Sequence, residues 1–149
     1  MNKLTERQSV SYQRIRKLAK IYRDAEADLV EELIEVEACR LHKALGHKSV
    51  FKFAVKELKL TDPTALMLIS VARAAKNFPD LRKALSERKL SPPKASRIVA
   101  HLKQENAKEH VEYAIEHTYR EIDFEMAKRN PKLHVKETAK PISEDTMLV

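Results

Sequence analysis

The chain has 149 residues, 43% hydrophobic, 34% charged and 5% aromatic, with a net charge of +7. Its single glycine excludes a glycine-rich phosphate loop, and its single cysteine, Cys39, excludes an internal disulfide and a thiolate metal cluster. No apolar run reaches the ~18 residues that would mark a bilayer-spanning helix. Strong helix formers dominate and tryptophan is absent, so an all-α fold is expected, with one domain as the prior at this length.

Residues 1–10 are expected to be a flexible N-terminus and 11–131 a helical domain. From about Ser11 to Leu45, Leu18, Tyr22, Ala25, Leu29, Leu33 and Val36 recur at three- and four-residue steps, which sets them on one stripe of a long helix, or of two in line. Such a helix would span ~50 Å and overhang a small domain, pairing with a second copy or packing along its own domain. Ile21, Val30, Ile34, Leu41 and Leu45 make the stripe broader than a strict heptad seam. Gly46 is expected to end the helix.

Ser49 is placed to cap the next helix, whose buried side would include Val50, Phe51, Ala54, Val55 and Leu58. Lys59 and Leu60 turn the chain and Thr61 caps a helix running to Asn77, with Pro63 in its first turn. Two helices joined by a tight turn over 49–77 predict a helix-turn-helix-like unit. Asn77-Phe-Pro79 stops the second helix, and Asp80 opens a short one to about Arg88. Ser91-Pro-Pro93 starts another, with Ala95, Ile98, Val99 and Leu102 on its apolar side and Lys94, Arg97 and His101 opposite. Helices near 105–117 and 119–129 follow, the second opened by a Thr118–Glu121 capping box and ended before Pro131. Residues 132–149, of mixed charge and no period, are expected to be a disordered tail.

Charge is distributed in blocks. Residues 1–23 hold seven basic side chains and one acidic; residues 24–37 hold seven acidic and none basic. Net positive blocks cover 38–60 and 81–104. Such blocks attract polyanions by counterion release, and they also serve simply as solvated surface. Candidate DNA contacts, mostly to phosphate, are Lys52, Lys56, Lys59, Thr61, Thr64, Ser70, Arg73, Lys76, Lys94 and Arg97. Leu66, Met67, Leu68 and Ile69 point in four directions around their helix, too many for one core face, which suggests a partner-binding surface.

Other chemistry has little footing. The six histidines are His42, His47, His101, His110, His117 and His134. His110 and His117 lie seven apart with no third ligand in view, so solvated surface histidines are expected and no metal site. Acids beside lysines on helix faces need no catalytic role. No enzyme activity, cofactor, small-molecule substrate or membrane partner is expected. A cytoplasmic location, nucleoid association included, is the default.

Three pieces, LVEELIEVEACRLHKALGHKSVFKFAVKELKLTD, ARAAKNFPDLRKALSERKLSPPKASRIVAHLKQEN and YREIDFEMAKRNPK, together resemble the N-terminal helical region of bacterial HNH-endonuclease-related proteins over Asp28 to Pro131. The middle is also similar to the helix-turn-helix core of ParB-type partition proteins. The resemblance implies a helical DNA-associated module attached, in relatives, to a C-terminal nuclease. No HNH module is seen before Val149, so nuclease activity is not carried over and a nuclease-related fragment is an alternative. Relatives also tend to show aromatic and arginine residues where this chain has Leu66, Met67 and Leu68, and arginine in place of Ser70. The expectation is a non-enzymatic DNA-binding module with weak sequence preference. The alternative from another class is a protein-interaction or dimerisation module using the central and N-terminal helices.

Overall fold

The computed structural model describes residues 3–130, and their regular structure is helical throughout. The order is α1 (Glu6–Cys39), α2 (Leu41–Ala44), α3 (Val50–Lys56), α4 (Asp62–Asn77), α5 (Pro79–Ser86), α6 (Pro92–Ala95), a 3₁₀ turn (Val99–His101), α7 (Ala107–Glu116) and α8 (Tyr119–Arg129). The all-α expectation holds. The described residues divide into two compact units between Ala72 and Arg73, inside α4. The expected tail, 132–149, lies outside the described residues.

In the first unit, α1 starts earlier than its apolar period suggests. The Thr5 hydroxyl accepts from the Gln8 N–H at 3.1 Å and the Gln8 side chain accepts from the Thr5 N–H at 2.8 Å. That capping box satisfies two otherwise orphaned donors, so helix already covers 6–10. Of the two forms expected to Leu45, one long helix or two in line, the second is found: Arg40 takes a left-handed conformation (φ 57°) and returns its N–H to Val36 O, separating α1 from α2. The break has a packing reason. His42 lies nine residues beyond buried Leu33, and at ~100° per residue an unbroken helix would point it to the opposite side; after the break His42 is buried as well. Gly46 (φ 88°) then follows the single turn of α2.

The buried side of α1 is Ala27, Val30, Leu33 and Val36, all in its C-terminal half. Residues 3–23 are exposed throughout, apart from half-buried Ser9. Ser49 caps α3, its hydroxyl accepting from the Lys52 N–H at 3.1 Å. Val50 and Ala54 are buried as expected, and so is Phe53, while Phe51 and Val55 are half-buried and Leu58 is exposed. Leu58 falls past the end of α3, in the turn, so helical spacing no longer aims it at the core.

In the second unit, α7 packs against α5, α6 and α8. Its Ala107, His110, Val111 and Ala114 are buried, as are Leu81, Ala84 and Leu85 of α5 and Ile122 and Met126 of α8. The Thr118–Glu121 capping box forms, at 3.2 Å and 2.9 Å. Arg129 ties α8 to α7, donating to Glu109 at 2.6 Å and to Glu125 at 2.7 Å. The single helix expected after Ser91 is instead α6 plus the 3₁₀ turn. The Ser96 hydroxyl donates to Pro93 O, and the next backbone bonds (Arg97 to Lys94, Ile98 to Ala95, His101 to Ile98) tighten to three-residue steps. A serine that bonds a nearby carbonyl competes with α-helix for it.

Candidate nucleic-acid interface

The helix-turn-helix-like segment is built locally. α3 ends as Glu57 returns its N–H to Phe53 O at 2.8 Å and Leu60 returns its N–H to Ala54 O at 3.2 Å. Lys59 between them is left-handed (φ 61°). This is a helix stop of the kind usually made with glycine, made here without one. Thr61 then opens α4, its hydroxyl accepting from the Thr64 N–H at 3.4 Å and donating to the Thr64 hydroxyl at 3.0 Å.

The sequence-based contact residues divide between the units. In the first, Lys52 and Lys56 stand one helical turn apart on α3 and Lys59 follows in the turn. All three are exposed, and no ion pair to a described residue engages them. Ser70 is exposed, whereas the Thr61 and Thr64 hydroxyls serve the cap. In the second unit, Arg73 and Lys76 are exposed and Lys94 is half-buried. Arg97 pairs with Asp123 at 3.5 Å and lies over the Tyr119 ring at 5.6 Å, so its charge is already engaged there.

The suggested partner surface Leu66, Met67, Leu68, Ile69 is mostly interior. Leu68 and Ile69 are buried and Met67 half-buried; Leu66 alone is exposed, at 59%. Burial over a wide arc of α4 accommodates the side chains that one core face could not.

Two features escaped the sequence. Three histidines expected at the surface, His42, His101 and His110, are buried. The Nδ1 atoms of His42 and His110 have no hydrogen-bond partner. Burial, then the Arg129 charge, holds His110 below the usual imidazole range. His47 is 3.2 Å from Glu57, and the His117 ring is 2.7 Å from Tyr113 O; His134 lies outside the described residues. Among the described residues no group of three or more His, Cys, Asp or Glu could hold a metal ion. The other missed feature is the open face of α1, where Val10, Ile15, Leu18, Ile21 and Tyr22 are each more than half exposed. Periodicity announced that stripe but cannot say what covers it.

No protein-family model, curated protein or solved structure matches the chain. No helix among the described residues is long and apolar enough to cross a membrane.

Proposed function

We propose that the first unit is a non-enzymatic DNA-binding module that grips the duplex through phosphate contacts, with weak sequence preference. The observation that supports this reading most is the row of exposed lysines, Lys52, Lys56 and Lys59, on α3 and the turn before α4. Ammonium groups free of partners lose little on meeting phosphate, and they release counterions when they do. Exposed Ser70 and Leu66 on α4 could add a phosphate hydrogen bond and apolar contact to a base edge, but neither reads sequence as a bidentate side chain does. The resemblance to HNH-related and ParB-type proteins points the same way.

The test is fluorescence polarisation of a labelled duplex between 50 and 200 mM salt. Three phosphate contacts correspond to a slope of log K against log salt near −2.7, or about a 40-fold loss of affinity over that range. Binding without a salt slope, or none at the lower salt, contradicts the proposal. A second reading, association through α1, is favoured by the open apolar face of its N-terminal half.

A further inference from the structure

We infer that α1 pairs antiparallel with α1 of a second copy of this chain. Apart from half-buried Ser9, the N-terminal half of the helix is exposed along its length, although helices in proteins draw most of their stability from packing an amphipathic face. Yet it carries Ile15, Leu18 and Tyr22 at 60%, 53% and 68% exposure. Those three, with exposed Ala25, fall at alternating steps of three and four, the spacing of a coiled-coil seam.

The second half of α1 continues the strip. Between residues 24 and 37 the exposed positions are Ala25, Asp28, Glu32 and Glu35, again at steps of three and four. The remaining positions there are buried or half-buried. The open strip therefore changes character along one helix, apolar with flanking arginines first and acidic afterwards.

That polarity selects the orientation. Residues 1–23 carry seven basic side chains against one acid, and 24–37 carry seven acids against no base. A parallel pair would set like charge on like along the helix; an antiparallel pair sets each basic half on the other copy's acidic half. With Ile21 of the two copies meeting at the dyad, Arg14 stands beside Asp28 of the second copy and Arg7 beside its Glu35. Leu18 then layers on Tyr22 of the second copy, and Ile15 on its Ala25. The surface is symmetric and closes on itself, as a two-fold dimer requires.

The experiment uses the full chain with Cys39, which is exposed, changed to serine. Arg14→Cys and Asp28→Cys versions are oxidised separately and mixed, and sedimentation velocity follows the parent over a range of concentrations. The inference expects a dimer and a disulfide that forms between the two versions on mixing and far less in either alone. A parent that stays monomeric throughout overturns it. So does a dimer whose Arg14→Cys chains cross-link to each other, the mark of parallel pairing. As a second measurement, Arg7→Glu with Arg14→Glu should weaken the dimer about thirtyfold or more, by turning flanking attraction into repulsion at both ends. Mixing that version with Asp28→Arg/Glu35→Arg should restore the dimer; no restoration contradicts the pairing.

Discussion

Single residues carry two separable effects. Lys59 is held left-handed (φ 61°), a conformation that costs a side chain about 1–2 kcal/mol, while glycine loses part of that gain to its freer unfolded chain. Lys59→Gly should therefore raise stability by about 0.5 kcal/mol in urea denaturation while flattening the salt slope of DNA binding by about 0.9. His110 makes a second case. Its Nδ1 is buried without a partner, so His110→Leu should stabilise the fold by about 1 kcal/mol at neutral pH. The sign of the pH effect follows from its lowered pKa. The unfolded chain takes up a proton near the ordinary value of 6.5 and the folded chain only at lower pH, so stability is full above 6.5 and drains away as pH falls toward the folded value. The leucine variant should lack that loss. An unchanged urea midpoint profile between neutral and mildly acid pH would contradict the assignment.

At the level of elements, what could be read in the sequence was what is local. The Thr118–Glu121 box, the Ser49 and Ser91 caps and the Asn77-Phe-Pro79 stop depend on neighbours a few positions away, and they form as expected. Thr118→Ala should cost about 1 kcal/mol through the start of α8, seen as a lower urea midpoint; no change would mean the box is not holding that end. The break at Arg40 was illegible because arginine favours helix, and the left-handed turn serves the burial of His42 rather than any local preference. The 3₁₀ turn after α6 was hidden for a similar reason. Its apolar spacing reads as α-helix, while the Ser96 hydroxyl bonded to Pro93 O redirects the backbone.

Across the whole molecule, the candidate site was legible as a list of charges but not as a surface. Arg97 is engaged by Asp123 and Tyr119, and Thr61 and Thr64 are capping residues. The exposed candidates in the first unit are then Lys52, Lys56 and Lys59, together with Ser70. The most direct measurement compares the salt dependence of duplex binding for the parent chain and for Lys52→Gln/Lys56→Gln/Lys59→Gln. Loss of most of the slope, with an unchanged urea midpoint, is the predicted result. An equal slope in both proteins would contradict the assignment of these lysines as the DNA-gripping surface.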